Sequence, residues 1–317
     1  MNSTIFSMSY FILGSYLNVG SLRYLYFTIA LVLYIIITVC NTAVILLICM
    51  NRSLHEPMYL FLCSLFVNEL YGSTAFFPLL LQQILSDVHI VSVSLCFLQI
   101  FCIYTYGSVE FMNLAVMAYD RYLAICRPLQ YSTCMTTHRA FVLILFVWLY
   151  SFVKFLVTLS LNLRLTMCGN TIDSLYCHNY LVVKLACSDT TVNNIYGLFG
   201  IVLTVLVPLL PILFSYMKIL HVCFSGSNQQ RVKALSTCSP QLVSLLNFSF
   251  GCIFEILRSR FDMRAVPKTL IIILSLHFLI IQPLLSPIMF GLQMSRIRNA
   301  FKAVLGSKAV ENHPQDC

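Results

Sequence analysis

Apolar residues fill the chain in seven long runs, and the shorter segments between them hold most of the charges. Each run is long enough for a helix that crosses about 30 Å of hydrocarbon, which takes roughly 20 residues. Apolar side chains occur at every helical phase of these runs, as expected for helices surrounded by lipid and by other helices. The predicted spans are 24–51, 57–86, 90–119, 140–163, 190–217, 234–254 and 269–295.

The composition favours a membrane protein and excludes soluble classes. Hydrophobic residues make up 59% of the chain, charged residues 9%, and the mean hydropathy is +0.87, whereas a soluble domain carries about 25% charged residues. The alternating short strands of a membrane barrel are absent. The net charge of +8 is scattered rather than gathered in one stripe, which argues against nucleic-acid binding. We predict an all-α membrane protein, a seven-transmembrane helix bundle in one domain over 1–317.

The basic residues favour an extracellular N-terminus and a cytoplasmic C-terminus. In this orientation the inner segments hold eleven Lys and Arg and the outer segments seven, in agreement with the positive-inside rule. The basic cluster at 258–268 lies in an outer segment and argues against this orientation. Asn2 begins a glycosylation sequon on the outer side, whereas the sequon at Asn51 would face the cytosol. We expect an extracellular segment (1–23), the bundle (24–295) and a cytoplasmic tail (296–317), without a cleaved signal peptide.

Four of the 14 cysteines fall on the outer side, where disulfides persist. From the residues alone they allow three pairings. Most of the others lie in spans or on the reducing side, where they serve as small apolar residues. The four outer cysteines are Cys96, Cys168, Cys177 and Cys187.

Ionisable residues inside spans are costly and indicate function. Glu69 and Glu110 lie deepest; either both are neutral and hydrogen-bonded to neighbouring helices, or they share a proton or a cation. Lys154 either extends to the outer headgroups or faces the bundle, where it would meet a ligand or a carboxylate. The sequence holds no nucleophile elbow, phosphate loop or Cys/His metal array, so we expect neither enzymatic activity nor a cofactor.

The most specific motif is MAYDRYLAICRPLQY at 117–131, at the inner end of the third span. It closely resembles the inner end of the third helix in vertebrate odorant receptors of the rhodopsin-like G-protein-coupled family. Further segments resemble that family in order: LHEPMY at 54–59, SY at 215–216, KALSTC at 233–238 and RIR at 296–298. The resemblance therefore covers nearly the whole chain.

Three positions depart from the family pattern. Glu69 stands where most members carry Asp, residues 286–290 read SPIMF in place of Asn-Pro-x-x-Tyr, and residues 248–250 read FSF in place of Phe-Tyr-Gly. These departures affect the details of the switch rather than the fold, and they fit a divergent branch such as a fish-type receptor.

The resemblance assigns roles to residues of this chain. It implies disulfides Cys96–Cys177 and Cys168–Cys187, and a resting pair of Asp120 with Arg121 that opens toward a G protein. The coupling and switch residues would be Asp120, Arg121, Tyr122, Tyr216, Ser286 and Pro287. A polar interior of Asn41, Glu69, Glu110 and Ser286 would hold a proton, or a sodium ion at Glu69 and Glu110, in the resting state.

A mostly apolar ligand pocket is expected between the third, fifth, sixth and seventh helices in their outer halves. Charged residues among the candidates suggest polar or water-borne odorants. The candidates are Tyr104, Gly107, Ser108, Lys154, Gly200, Ile201, Thr204, Ser249, Cys252, Ile253 and Glu255.

The function implied is that of a plasma-membrane odorant receptor, in olfactory cilia, which binds a small odorant and activates a stimulatory G protein that raises cyclic AMP. One alternative is a class A receptor for another small ligand or a peptide, although no Asp lies near Tyr104 to pair with an amine. An opsin or light-driven pump would need a lysine in the middle of the seventh span, where the sequence has none. A transporter or channel would show broken helices or repeats, which are not visible.

Overall fold

The computed structural model describes residues 9–16, 20–225, 228–261, 263 and 265–311. Within these residues, seven helices are long and apolar enough to cross a membrane, which confirms the predicted seven-helix bundle. The helices are α1 (Leu22–Met50), α2 (Pro57–Leu85), α3 (Val93–Cys126), α4 (Pro128–Cys134), α5 (Thr137–Asn162), α6 (Asn179–Val183), α7 (Thr191–Ile201), α8 (Val207–Ser225), α9 (Asn228–Arg260), α10 (Lys268–Gln293) and α11 (Ser295–Glu311). A 3₁₀ turn at Arg52–Leu54 joins α1 to α2.

Helix α3 lies at the centre of the bundle and packs against α2, α5, α8 and α9, while α1 packs against α2 and α10. We call the end of the bundle that carries both disulfides the outer end, and the end that carries Asp120 and Arg121 the inner end. One apolar cluster joins α1, α2, α3, α8, α9 and α10 from the outer loop at Tyr176 to Ile219 and Cys238 toward the inner end. A second joins α1, α2, α3, α10 and α11 near the inner end.

Local sequence explains where several helices begin. The Ser92 hydroxyl accepts a hydrogen bond from the Leu95 amide at the start of α3, and Thr136 does the same for Arg139 at the start of α5. Such caps satisfy amides that have no partner inside the helix. Helices α2 and α4 begin with proline, whose missing N–H costs nothing in a first turn.

The fifth crossing is continuous from Thr191 to Val222 but contains a π-helical turn at Val202–Leu206, between α7 and α8. Pro208 follows this turn and has no N–H to donate to the preceding carbonyls. Wide turns of this kind relieve the local mismatch and often occur at functional sites. Here the turn presents Thr204 to the interior of the bundle.

A small sheet at the outer end was not predicted. Strand β1 (Tyr10–Leu13) pairs antiparallel with β2 (Ile90–Ser92) and parallel with β3 (Thr171–Ile172). Phe11 and Leu13 of β1 are buried beneath it. The apolar patch of the N-terminal segment is therefore a strand that covers the bundle, because its alternate side chains have an apolar surface to bury. The predicted glycosylation site at Asn2 lies outside the described residues.

Several predicted boundaries were wrong where helices continue beyond their apolar runs. The third helix begins at Val93 rather than residue 90, and it ends at Cys126 rather than 119. The sixth crossing extends to Arg260 rather than 254. Charged residues ended each predicted run, yet these residues point into the bundle and find partners there. Part of the predicted cytoplasmic tail is helical as well, because α11 buries Ile297 against the inner cluster.

Candidate functional site

A cavity of about 160 Å³ lies in the outer half of the bundle, between α3, α5, α7, α9 and α10. The exposed surface of its wall is mostly apolar, and polar and charged side chains line it as well, which is the usual character of a small-molecule site. Eight residues that the sequence placed in a pocket line it: Tyr104, Gly107, Lys154, Gly200, Ile201, Thr204, Cys252 and Glu255.

Three predicted pocket residues do not line the cavity. Ile253 has 52% of its surface exposed on the outside of the bundle, and Ser249 is turned away from the cavity in the same helix. Ile253 follows the cavity-lining Cys252 by one residue, which rotates its side chain by about 100°. Ser108 is buried behind the wall, where its hydroxyl accepts a hydrogen bond from Lys154.

The second outer loop closes the cavity from above. Its residues that line the cavity were not predicted from the sequence. Tyr176 and His178 flank Cys177, which is bonded to Cys96 at the outer end of α3. The Cys177 amide also donates to the Gln99 side chain over 2.9 Å. The disulfide was the signal that could have found them, because a loop tied to the end of α3 must place the neighbours of its cysteine over the bundle.

The loop residues hold Glu255 in place above the cavity. The Tyr176 hydroxyl donates to Glu255 over 2.7 Å, while an Arg258 nitrogen lies 3.5 Å and His178 Nε2 3.7 Å from the same carboxylate oxygen. Burial and the negative charge of Glu255 raise the pKa of Tyr176, which therefore remains a donor. Burial, with Arg258 and Arg260 nearby, lowers the pKa of His178 to about 3, so its imidazole is neutral.

Lys154 faces the bundle, so the alternative in which it extends to the headgroups is wrong. Only 6% of the residue is exposed. Its ammonium donates to the hydroxyls of Ser108 over 2.8 Å and of Thr204 over 2.6 Å, and it lies 4.6 Å from the ring centre of Phe155. Within the described residues, no carboxylate forms a salt bridge with it.

The two interior acids belong to one closed hydrogen-bond network below the cavity. Glu69 accepts from Ser286 over 2.9 Å and from Tyr106 over 3.0 Å. Glu110 accepts from Gln282 over 2.8 Å and from Asn68 over 3.0 Å. The two acids are linked through α10, where the Gln282 amide lies 3.4 Å from the Ser286 hydroxyl. Gln282 and Asn68 were not predicted from the sequence. An uncharged amide inside a membrane span is less costly to bury than an ionisable acid, so it does not stand out as a functional residue.

Asn41 does not join this network directly. Its side-chain amide donates to the carbonyl of Pro283 over 2.9 Å, which ties α1 to α10. Within the described residues, no three His, Cys, Asp or Glu side chains cluster as a metal site would require. Every carboxylate oxygen of Glu69 and Glu110 already has a protein donor, so a sodium ion bound there would have to displace those donors.

At the inner end, Asp120 and Arg121 form an ion pair with 2.7 Å between Nη2 and Oδ2. The Tyr131 hydroxyl donates to the other oxygen of Asp120 over 2.8 Å. Burial and the negative charge of Asp120 raise the pKa of Tyr131, which keeps it a donor. Tyr216 is 7% exposed, and its hydroxyl has no hydrogen-bond partner in the described structure.

The other predicted switch residues lie along the path between these sites. Tyr122 packs against Phe214 of α8, with 5.9 Å between ring centres. Ser286 donates to Glu69, and Pro287 follows it inside α10, near the level of Phe290 in the inner cluster. The structure thus brings Ser286 into contact with the interior acids, while Tyr122 lies near the inner end.

Comparison with known proteins agrees with this arrangement. A family model described as olfactory receptor matches residues 30–308. Olfactory receptor 52D1 of Homo sapiens is 35% identical over 86% of both chains, and olfactory receptor 10A3 of Homo sapiens is 33% identical over 91% of both. Olfactory receptor 1500 of Rattus norvegicus is 32% identical over 90% of this chain and 91% of that protein.

The fold has a counterpart among solved structures. The crystal structure of squid rhodopsin superposes with a TM-score of 0.73 at 19% identity, covering 93% of this chain and 89% of that chain. At this identity the likeness speaks for the fold alone. Taken with the sequence relatives, it shows that the chain belongs to the olfactory receptor family, multi-pass membrane receptors of the rhodopsin-like G-protein-coupled class that signal rather than catalyse.

Proposed function

We propose that the protein is an odorant receptor that binds a small molecule in the outer cavity and activates a stimulatory G protein, which raises cyclic AMP. The observation that carries this proposal is the cavity itself, which lies between helices, is covered by a disulfide-tied loop and has a mostly apolar wall. Its volume, about 160 Å³, is similar to that of an apolar cavity of about 150 Å³ that takes up benzene in another protein. Volatile odorants are of this size.

A chain of aromatic contacts connects the cavity to the interior acids. Phe111 and Phe278 line the cavity, and both pack against Phe248, with 5.1 Å and 6.1 Å between ring centres. Phe248 in turn packs against Tyr106, which donates to Glu69. Gly72 leaves room for the Tyr106 ring, since a Cβ there would lie 2.5 Å from it. A ligand that moves Phe111 or Phe278 would therefore shift the hydrogen bond to Glu69.

The inner end provides the output of this pathway. In the resting arrangement Arg121 is engaged by Asp120, while the buried hydroxyl of Tyr216 has no hydrogen-bond partner among the residues that the structure describes. A buried unpaired hydroxyl costs about 1–3 kcal/mol, so an arrangement that supplies a partner to Tyr216 would be favoured locally. We infer that the active state releases Arg121 and opens the inner ends of α8 and α9 for the G protein, and that the ligand selects this state by binding it more tightly.

The proposed setting is the plasma membrane of olfactory cilia, with the outer end extracellular and a glycan at Asn2. The disulfides at the outer end support this orientation, because an oxidising compartment preserves them. The shared proton between Glu69 and Glu110 would stabilise the resting arrangement of α2 and α3.

A cavity-filling variant tests the proposal. Gly200 lines the cavity, and a Cβ placed there would meet no protein atom within 4 Å outside its own helix backbone, so the leucine of Gly200→Leu has room to extend into the cavity. We expect odorant-evoked cyclic AMP to fall at least tenfold in potency while expression at the cell surface is retained. Gly291→Leu is the control, since this helical glycine also has open space around it and lies away from the cavity. Equal loss in both variants, or no loss in Gly200→Leu, would contradict the proposed binding site.

A further inference from the structure

The ammonium of Lys154 is the most unusual group in the cavity wall. A buried cation is costly unless it is paired, yet the described residues supply only hydroxyl oxygens and aromatic faces. The two hydroxyls come from different helices, Ser108 from α3 and Thr204 from the π-helical turn. They fix the ammonium in the wall rather than neutralise its charge.

The hydroxyls around Lys154 are themselves held by other groups. Ser151 donates to Ser108 over 2.9 Å, and Thr204 donates to the carbonyl of Gly200 over 2.6 Å. The lone pairs of both hydroxyls are therefore directed toward the ammonium, and the site is built to keep it in one position. The ammonium lies at the cavity wall, because Lys154 and its partner Thr204 are both among the residues that line the cavity.

The acidic residue of the cavity does not supply the missing charge. Glu255 also lines the cavity, but Tyr176 and Arg258 already engage its carboxylate from above. Lys154 lies on the opposite wall, formed by α3, α5 and the fifth crossing. A ligand that carries its own negative charge would complete the cavity, whereas a ligand that carries an ammonium would place two like charges together.

We propose that the preferred ligands are small monocarboxylic acids whose carboxylate binds the Lys154 ammonium while the hydrocarbon part fills the apolar cavity. This inference rests on the proposed function and names its ligand class. A carboxylate on an ammonium forms a charge-assisted hydrogen bond, which is about twice as strong as a neutral one. The cavity volume of about 160 Å³ limits the hydrocarbon part to about the size of a benzene ring.

Two matched sets of compounds test the proposal: hexanoic acid, hexanol, hexanal and hexylamine, and benzoic acid with benzyl alcohol, benzaldehyde and benzylamine. Cells that express the full chain are assayed for cyclic AMP, and surface expression is measured in parallel. In at least one set, we expect the acid to act at a concentration at least tenfold lower than its alcohol, since charged hydrogen bonds discriminate by about this factor or more.

Lys154→Met removes the charge and retains a flexible side chain of similar length. We expect this variant to lose the preference for the acid and to retain the response to the alcohol. Thr158→Val is the matched control, because Thr158 lines the cavity one turn further along α5 and carries no charge; it should keep the preference for the acid. If Lys154→Met loses every response, Lys154→Arg provides the test instead: it restores a cation and should restore the preference for the acid.

Several results would overturn the proposal. Potency of the alcohol or amine equal to that of the acid in the unmodified receptor would do so. If Lys154→Met still prefers the acid, the carboxylate of the ligand must bind another cation, such as Arg260. A preference for the aldehyde that is lost in Lys154→Met would indicate a covalent imine instead.

Failure of the proposed function can be separated from failure of this inference. If none of the eight compounds raises cyclic AMP, thermal unfolding of the purified receptor measures binding directly. Stabilisation of the unmodified receptor by an acid, absent in Lys154→Met, would uphold the ligand class even without G-protein coupling. A neutral odorant that raises cyclic AMP while no acid binds would uphold the receptor and reject the ligand class.

Discussion

The outer and inner ends of the bundle are held by different kinds of interaction. The outer end has two disulfides, a three-stranded sheet and a loop that is bonded to α3. The inner end, within the described residues, has no disulfide and is held by the inner apolar cluster and by hydrogen bonds and ion pairs such as that of Asp120 with Arg121. Covalent bonds and buried strands cannot exchange on the timescale of signalling, whereas ion pairs can.

This difference between the two ends indicates which of them can move. A ligand site needs a fixed frame so that binding energy is not spent on ordering the wall. An effector site needs two arrangements of similar free energy, so that a ligand of modest affinity can shift the population. The receptor therefore combines a rigid outer frame with a switchable inner end, and substitutions at the two ends should have different consequences.

The largest effect is expected for Cys96→Ser, which removes the disulfide to Cys177. Cys177 is fully buried, so the loop above the cavity would lose its anchor. Loss of a native disulfide costs about 2–5 kcal/mol, and we expect little receptor at the cell surface. Cys168→Ser is the comparison, because Cys168 and Cys187 are exposed and enclose a short segment; surface expression should fall less. Equal surface expression of both variants would contradict the claim that the buried Cys96–Cys177 disulfide stabilises the outer end more than the exposed Cys168–Cys187 disulfide does.

Arg121→Ala should abolish signalling without loss of the fold. Its guanidinium is 14% exposed at the inner end and contacts Asp120, so its removal leaves the outer cavity intact. We expect ligand binding and surface expression to be retained, while ligand-evoked cyclic AMP falls to background. Cyclic AMP equal to that of the unmodified receptor would contradict the proposed role of Arg121.

The burial of His178 predicts that the stability of the receptor depends on pH. Its pKa is lowered to about 3, below the value of about 6.5 in an unfolded chain, so the unfolded state binds the proton first. Stability is therefore lost as pH falls below about 6.5, by about 2 kcal/mol between pH 7 and pH 5. Thermal unfolding of the purified receptor should show a smaller loss for His178→Gln than for the exposed control His138→Gln. The same pH dependence in both variants would show that His178 is not the group responsible.

Tyr131→Phe should raise the activity of the receptor without ligand. Its hydroxyl donates to Asp120, and a hydrogen bond to a charged group contributes about 1.5–3 kcal/mol. Loss of that bond weakens the resting arrangement, and we expect basal cyclic AMP to increase by roughly tenfold or more if the contact is absent in the active state. Tyr119→Phe, at a more exposed position on α3, is the control and should leave basal activity unchanged. A lower basal level in Tyr131→Phe would mean that the contact supports the active state instead.

The smallest effect is expected for Glu56→Ala, which breaks the ion pair with Arg296 at the inner end. Both side chains are 55% exposed, and exposed pairs of this kind contribute about 0–1 kcal/mol. Thermal stability and basal activity should therefore change little. A large change in either would show that surface pairs, and not the buried Asp120, hold the inner end closed.

The bundle could be predicted from the sequence because lipid imposes a strict length and composition on every spanning helix. The sheet could not be predicted, since Tyr10–Leu13 is a four-residue apolar strand whose partners lie far along the chain, at residues 90–92 and 171–172. Short strands of this kind are specified by tertiary contacts rather than by local pattern.

The candidate site was predicted best where one helix supplies neighbouring residues. Tyr104 and Gly107 both line the cavity, one turn apart on α3, whereas Ile253 does not, because a one-residue error rotates a side chain out of the cavity. Tyr176 and His178 could not be placed, because a loop has no period to follow. The direction of Lys154 was left open by the sequence, since a lysine stem can extend to the headgroups or fold inward.

The coupling of the two ends is tested most directly by measuring how the inner end moves when the outer cavity is filled. Fluorophores introduced as unnatural amino acids at Ser132 in α4 and at Asn228, the first residue of α9, would report the separation of these elements by energy transfer. We expect the separation to increase by several ångströms when an odorant binds, and the increase to be absent in Gly200→Leu. An unchanged separation at odorant concentrations that raise cyclic AMP would contradict the account.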